Sequence, residues 1–294
     1  MLWRRWRSFL CVLSWLVYAT PATALGGHVE DTFDDTLTPV LFVHGHGLSS
    51  ATWQPLVDYL HRHGYPEEYL SAVQITPNRM ANISAAETAI APAVDRLLTQ
   101  AVELAEKNGV NLPKKVDIVS HSMGAMSSRW YAAKIHPEKV RRWISIAGAN
   151  HGSNALCQHT DDGAGDLCPA YAKTVAQSEI QLELNGTPKA PIDETPYGIG
   201  DDTAGVESIP AEAHRRIAYF TVRLAEDEWI VPADSATLSG AGGIYVEIPD
   251  GISEAAVGNF LLDGDSEGHM SILHSERVQG LILRLLTAPE TPAQ

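Results

Sequence analysis

A serine at the end of an apolar run is the residue of this sequence best suited to covalent chemistry. The run Val116–Val119 predicts a β-strand, and Ser120-His121-Ser122-Met123-Gly124 spans its end and the start of an apparent helix. A serine hydroxyl is a poor nucleophile at neutral pH. Hydrolases activate it on a sharp strand-to-helix turn, beside a base and backbone N–H donors. The pattern therefore predicts that Ser122 is a nucleophile.

The motif departs from the usual GxSxG pattern, because Ser120 stands where the first glycine is normally found. A small side chain is needed at that position, since the turn folds its neighbours against each other, and serine adds only a few atoms. The alternative interpretation is a chance Ser-x-Gly beside a strand. The motif alone leaves both interpretations open.

Two further residues complete an ordered catalytic set. Asp227 follows the apolar run Ile217–Val222, and His269 lies on a glycine turn before an amphipathic helix. The sharp strand-to-helix turn that carries the serine is called a nucleophile elbow. Hydrolases with such an elbow present the nucleophile, the acid and the base in this chain order, each beyond its own strand. The sequence therefore predicts Ser122 as nucleophile, Asp227 as orienting acid and His269 as general base. Glu228 is the alternative acid, because one residue of register cannot be resolved from sequence.

Backbone N–H donors are expected at two places. Met123 follows the nucleophile, and His46 lies in the glycine-rich loop after the first strand of the mature chain. We expect the N–H groups of Met123 and His46 to form the oxyanion hole. His44 and His46 could instead bind a metal, but the sequence offers no third ligand nearby. We expect neither a metal nor another cofactor.

The first 24 residues have the pattern of a secretory signal. Arg4, Arg5 and Arg7 precede the apolar stretch Phe9–Ala19, and Ala22-Thr23-Ala24 favours cleavage after residue 24. The stretch is shorter than the ~20 residues of a membrane span, so no stable membrane anchor is expected. Cleavage would leave residues 25–294 as one secreted domain.

The chain is acidic. Its formal charge is −15 and becomes −18 when the three arginines of the signal are removed. This charge argues against nucleic acid or an anionic membrane surface as a partner. We expect a monomer.

Two cysteines remain in the mature chain. Cys157 and Cys168 form an even pair in a protein bound for an oxidising compartment, so we predict that they are bridged. The short loop would contribute about 2–3 kcal/mol by constraining the unfolded state. A metal site with His159 is the less favoured alternative, because the CxxC spacing is absent.

Apolar strands alternate with amphipathic helices along the chain, which predicts an α/β fold with a mainly parallel sheet covered on both faces. The predicted strands are 39–43, 72–75, 116–119, 143–146, 217–222 and 244–248. A long helix is expected to begin at a capping box of Ser84 and Glu87 and to end near Gly109.

The segment from about 153 to 214 breaks this alternation. It is rich in Gly, Pro and Asp, and we predict one helix in it, Ala170 to Leu184. A lid or pocket wall above the sheet and a variable surface loop are both open interpretations. The acidic run Asp161–Asp166 lacks the spacing of a calcium loop, so a solvated turn is expected there.

The sequence resembles the secreted bacterial triacylglycerol lipases of the α/β-hydrolase fold. The likeness is carried by Pro39–Gly47, Val116–Gly124, Ala147–Asn150, Asp227-Glu228 and Gly268-His269 with the helix after it. It implies the same roles for Ser122, Asp227, His269 and the N–H groups of His46 and Met123, and apolar acyl esters as substrates. Extracellular polyhydroxyalkanoate depolymerases are similar too.

Three functions are therefore considered. The first is a secreted serine carboxyl-ester hydrolase, a lipase or esterase. The second is a polyester depolymerase that uses the same residues. The third is a binding protein of the hydrolase fold without turnover, against which the intact set of three residues argues.

Overall fold

Short runs of β-branched and aromatic residues form the central sheet. The computed structural model describes residues 36–158, 162–170, 178–187, 189–199, 217–264 and 267–289. The strands are β1 (Val40–Val43), β2 (Leu70–Val73), β3 (Val116–His121), β4 (Val140–Ile146), β5 (Gly186–Thr187), β6 (Ala190–Pro191), β7 (Ala218–Leu224), β8 (Ile252–Ala256) and β9 (Asn259–Leu262). The α-helices are α1 (Gln54–Arg62), α2 (Asn82–Ala85), α3 (Ala91–Asn108), α4 (Met123–Trp130), α5 (Glu179–Asn185) and α6 (Glu276–Thr287).

Seven strands form one sheet in the order β2-β1-β3-β4-β7-β9-β8, and β5 and β6 form a separate pair. All neighbours in the large sheet are parallel except β8 and β9. Every residue of β1 and β3 is buried, and successive residues point to opposite faces, so both faces of these strands are covered. The predicted α/β architecture is confirmed.

The register of the sheet places the ends of four strands side by side. Val43 pairs with Ser120, Ser120 with Ser145, and Ser145 with Thr221. The loops that follow β1, β3, β4 and β7 therefore leave from one edge of the sheet. This edge is where ligands bind in open α/β sheets.

One predicted strand is wrong and one hairpin was missed. Residues 244–248 pair with no strand among the described residues, although Val246 is buried and Tyr245 is 90% exposed. The alternation thus reflects burial on one side, without ladder hydrogen bonds. The last two strands of the sheet are β8 and β9 instead.

The long helix begins earlier than its predicted cap. It runs from Asn82 through a π-helical turn at Ala86–Ile90 into α3, and it ends at Gly109, whose φ is 67°. Ser84 lies within the first turn, so the predicted capping box is wrong. A carboxylate distant in sequence replaces it, because Asp166 Oδ2 accepts hydrogen bonds of 3.0 Å from the backbone N–H and side-chain amide of Asn82.

The described part of the predicted insertion packs on the rest of the domain. One buried apolar cluster joins it to residues of α4 and contains, from the insertion, Leu156, Ala164, Leu167, Ile180 and Leu184. The predicted helix is shorter than expected within the described residues, where α5 starts at Glu179. The proposed signal segment lies outside the described residues.

Candidate active site

Ser122 has a backbone conformation that few non-glycine residues adopt. It lies between β3 and α4 with φ 55° and ψ −128°, and such a geometry typically costs about 1–3 kcal/mol. Its N–H donates to the carbonyl of Ile146 at 3.2 Å, and its carbonyl accepts from the N–H of Ala149 at 3.2 Å. The end of β4 and the loop after it therefore fix the strained turn that the sequence predicted.

Two glycines allow the turn to approach the loop after β1. A Cβ at Gly45 would lie 2.8 Å from Cβ of Ser122. A Cβ at Gly124 would lie 2.5 Å from the carbonyl oxygen of His44 and 2.6 Å from that of Val43. Real Cβ atoms do not approach other heavy atoms this closely, and neither the Cβ of Ser122 nor the backbone can move aside, so glycine is required at both positions.

Replacing Gly124 with alanine is expected to push α4 away from the loop after β1. We expect a loss of about 1–3 kcal/mol from the free energy of unfolding, as for other overpacked sites, and a strong loss of esterase activity. The control is Gly280→Ala in α6, where the nearest atom would be Tyr59 Oη at 3.7 Å. That variant should gain about 0.5–1 kcal/mol and keep its activity. Urea unfolding with an ester assay measures both, and a G124A protein as stable and active as wild type would contradict the packing argument.

Asp227 follows β7 and is turned inward. Its Oδ1 accepts hydrogen bonds of 2.8 Å from the backbone N–H groups of Trp229 and Ile230, and its Oδ2 accepts one of 2.9 Å from Nδ1 of His269. Burial acts to raise the pKa of Asp227, but these hydrogen bonds and the charge of His269 outweigh it, so the pKa lies below its ordinary value. The carboxylate is therefore ionised at neutral pH.

His269 is buried, with 4% of its surface exposed. Because its Nδ1 faces a carboxylate, we assign the proton of the neutral ring to Nδ1, which leaves Nε2 as the basic nitrogen. The hydroxyl of Ser122 makes no hydrogen bond among the described residues. The structure thus brings Asp227 and His269 together, and the link from His269 to Ser122 stays a prediction.

Two neighbours of the predicted residues also contact His269. Nε2 of His121 lies 2.9 Å from the carbonyl oxygen of His269, and the two rings are 4.7 Å apart. The N–H of His269 donates to both carboxylate oxygens of Glu228 at 3.2 Å. From sequence, Glu228 was predicted only as an alternative acid, and no role was predicted for His121. The one available signal was their position next to Asp227 and Ser122.

The burial of His121 predicts a pH dependence of stability. Complete burial, and then the nearby His269, lower the pKa of His121 to about 3 from the ordinary 6.5. Below pH 6.5 the unfolded chain binds a proton at this residue, and the folded chain does not until near pH 3. The free energy of unfolding therefore decreases as the pH is lowered through this window, by about 1.4 kcal/mol per pH unit. In His121→Gln this term is absent, so urea unfolding between about pH 6 and pH 5 should give a shallower slope. Equal slopes for the two proteins would contradict this expectation.

The predicted oxyanion donors lie on the two segments that meet at Gly124. Met123 is the first residue of α4, so its N–H belongs to the group that lacks an acceptor within the helix. His46 lies in the loop after β1, and its ring Nε2 is 2.9 Å from Asp162 Oδ2. The next residue, Gly47, donates its N–H to the carbonyl of Asn78 at 2.9 Å. The role of both N–H groups in binding an oxyanion stays a prediction.

The cysteine pair is bridged as predicted, with 4.7 Å between Cα of Cys157 and Cα of Cys168. The acidic stretch inside the loop differs from the expected solvated turn. Asp162 contacts His46, and Asp166 caps the helix at Asn82. These carboxylates contact or accept hydrogen bonds from the protein, so the bridged loop is held against the loop after β1 and the start of α2.

Comparison with known families identifies the chain. A family model described as lipase (class 2) matches residues 37–197, more than half of the 294 residues. The chain belongs to the class 2 lipase family. This lipase is an ester-hydrolysing enzyme of the α/β-hydrolase fold, as the resemblance of its motifs to lipases implied.

One solved structure, with a TM-score above 0.5, supports the fold of this lipase. Mature lipase BlEst2 of Bacillus licheniformis is 17% identical, with a TM-score of 0.51 over 86% of this chain and 94% of that one. Lipase B of Aspergillus fumigatus is also 17% identical, with a TM-score of 0.49 over 89% of this chain and 55% of that one. The lin2722 product of Listeria innocua is 10% identical, with a TM-score of 0.48 over 87% and 96% of the chains. No curated protein matches the sequence.

Exposed apolar side chains follow the predicted acid and base of this lipase. Trp229 is 46% exposed, Val231 37% and Met270 40%. They lie on the two loops that carry Asp227 and His269, so apolar surface is available beside the site. In the part of the chain that the structure describes, no helix has the length and apolar character needed to cross a membrane.

Proposed function

We propose that this lipase is a secreted serine carboxyl-ester hydrolase that cleaves apolar acyl esters through an acyl-enzyme. The observation that carries the proposal is the 2.9 Å hydrogen bond from His269 Nδ1 to Asp227 Oδ2. This hydrogen bond places the proton of the imidazole on Nδ1 and leaves Nε2 as the base. The strained turn at Ser122 leaves from the same edge of the sheet as the loop of the acid. A nucleophile, an oriented base and an acid are the parts that acyl transfer needs.

The chemistry divides into two steps that balance without a cofactor. In the first step, Ser122 Oγ attacks the ester carbonyl carbon while Nε2 of His269 accepts the hydroxyl proton. The tetrahedral intermediate then expels the alcohol, which takes that proton from His269. In the second step, His269 removes a proton from a water molecule as its oxygen attacks the carbonyl carbon of the acyl-enzyme. The second tetrahedral intermediate then releases the carboxylic acid, and Ser122 Oγ takes the proton back from His269. Asp227 remains ionised and stabilises the imidazolium in both steps.

Negative charge develops on the former carbonyl oxygen in each step. The N–H groups of Met123 and His46 are the proposed donors to this oxygen, and such a donor is typically worth about 3 kcal/mol. The close approach at Gly45 and Gly124 supports this assignment, because it sets the loop after β1 against the start of α4.

Apolar acyl groups are the proposed substrate class. The family supports it, and Trp229, Val231 and Met270 supply exposed apolar surface on the loops of the acid and the base. We further propose that residues 1–24 are a signal peptide and that residues 25–294 form the secreted, monomeric hydrolase domain, with an insertion at about 153–214. The disulfide of Cys157 and Cys168 is compatible with an oxidising compartment.

The proposal is tested by covalent labelling and by a substrate panel. A fluorophosphonate probe should modify the folded protein on a single peptide, and mass spectrometry should place the adduct on Ser122. A panel from short nitrophenyl esters to tributyrin, long triglycerides and polyhydroxybutyrate film should show turnover of the soluble esters and of tributyrin. Clearing of the polyester without tributyrin would favour the depolymerase function. Absence of both labelling and turnover would favour a binding protein.

A further inference from the structure

Three hydrogen-bonding interactions converge on His269, and only one of them reaches its ring. Asp227 accepts from Nδ1 of the ring at 2.9 Å. The backbone N–H of the same residue donates to the carboxylate of Glu228, and its backbone carbonyl faces Nε2 of His121 at 2.9 Å. The main chain of the predicted base is therefore held on both sides of its Cα.

We propose that His121 and Glu228 are positioning residues that fix the backbone of His269 and so align its imidazole with Ser122. The inference rests on the proposed function, since it assigns no chemistry to either residue. Both act through His269 alone.

The His121 contact joins the strand of the nucleophile to the loop of the base. His121 is the residue before Ser122, and it is fully buried at the end of β3. Its low pKa keeps the ring neutral, so the ring carries one N–H, and this must be on Nε2 because Nε2 faces a carbonyl oxygen. Nδ1 is buried and accepts no hydrogen bond within the described residues. The single donor of His121 is thus used on His269.

The Glu228 contact joins the loop of the acid to the same backbone. The carboxylate of Asp227 accepts a hydrogen bond from the ring of His269, and the carboxylate of Glu228 accepts one from its backbone N–H. The loop of the acid therefore contacts His269 at two points. A Cβ at Gly268 would lie 3.3 Å from Oε1 of Glu228, a tight distance that glycine relieves. Glu228 is exposed and has no need of a partner to satisfy its charge, so the contact serves the loop of the base.

Paired variants separate the hydrogen bond from the side chain that makes it. His121→Met removes the donor at similar length, and His121→Gln keeps an amide N–H. Glu228→Ala removes the acceptor, and Glu228→Gln keeps an amide oxygen. Glu226→Ala is the control, because Glu226 is an exposed carboxylate on the same loop.

We expect H121M and E228A to lower kcat for a short nitrophenyl ester by about tenfold to a hundredfold, with KM changed by less than about twofold. H121Q and E228Q should stay within about threefold of wild type, and E226A should match wild type. Proton NMR adds a readout that overall stability does not move. The low-field resonance of the Nδ1 proton between His269 and Asp227 should shift or broaden in H121M and E228A, and should persist in the two amide variants.

The double variant H121M/E228A completes the test. Because both residues act through one backbone, its loss of kcat should be smaller than the product of the single losses. If H121M fails to fold, E228A decides, since Glu228 is exposed. Wild-type kcat with an unchanged resonance in E228A, or a loss confined to KM, would overturn the inference. Activity retained in Ser122→Ala would instead overturn the proposed function, so the two failures are distinguishable.

Discussion

Replacing Ser122 with alanine is expected to lower kcat for ester hydrolysis by about a million-fold and to abolish labelling by fluorophosphonates. The reason is that the oxygen that forms the acyl-enzyme is removed while the oriented base remains. The fold should be kept, because the backbone contacts of Ser122 with Ile146 and Ala149 do not use its side chain.

The matched control is Ser120→Ala, two residues earlier and within the buried strand β3. Its hydroxyl donates to the carbonyl of Ile144 at 3.1 Å, so alanine there should cost about 1 kcal/mol of stability and keep most of the activity. Single-turnover kinetics and intact-mass labelling measure both variants. An S122A protein that still hydrolyses esters at more than a trace rate would show that another residue is the nucleophile.

Replacing Asp227 with asparagine is expected to lower kcat by about ten-thousand-fold. An amide at this position can donate to Nδ1 of His269, which would move the ring proton to Nε2 and remove the base. The amide oxygen of asparagine can still accept the hydrogen bonds from the backbone N–H groups of Trp229 and Ile230, so the loop should keep its shape.

The comparison with Glu228→Gln makes this test specific. The sequence left Asp227 and Glu228 as alternative acids, and the structure gives them different targets on His269, the ring and the backbone N–H. We expect the E228Q protein to lose no more than about threefold in kcat. Similar losses in D227N and E228Q would contradict the assignment of the acid.

The features that sequence predicted correctly are those that depend on short stretches of chain. The elbow at Ser122 is visible because an apolar strand, small residues and a helix start adjoin in sequence. The strands around it are visible because parallel strands buried on both faces give apolar runs. The order of Ser122, Asp227 and His269 along the chain can also be read locally, once each is placed after its strand, but their catalytic roles stay predictions.

The features that were missed depend on contacts between distant segments. Ser84 has the sequence of a helix cap, yet Asp166 caps the helix from 84 positions away from Asn82. Residues 244–248 alternate as a strand does, but pairing depends on which neighbour the sheet offers, and the hairpin of β8 and β9 takes that place. The contact of His121 could not be predicted from its position beside Ser122, since its partner is the carbonyl of a residue 148 positions later.

The residues Val43, Ser120, Ser145 and Thr221 pair in one row across four strands. This row separates the buried sheet residues, which the fold requires, from the loop residues, which can be substituted. The loops after β1, β3, β4 and β7 start beyond this row, and all four residues of the row are buried. Directed evolution toward new acyl groups should therefore randomise the exposed residues Trp229, Val231 and Met270 on the loops of the acid and the base, and leave the row untouched. Libraries built in this way should retain a high proportion of well-expressed, folded members while their selectivity diverges.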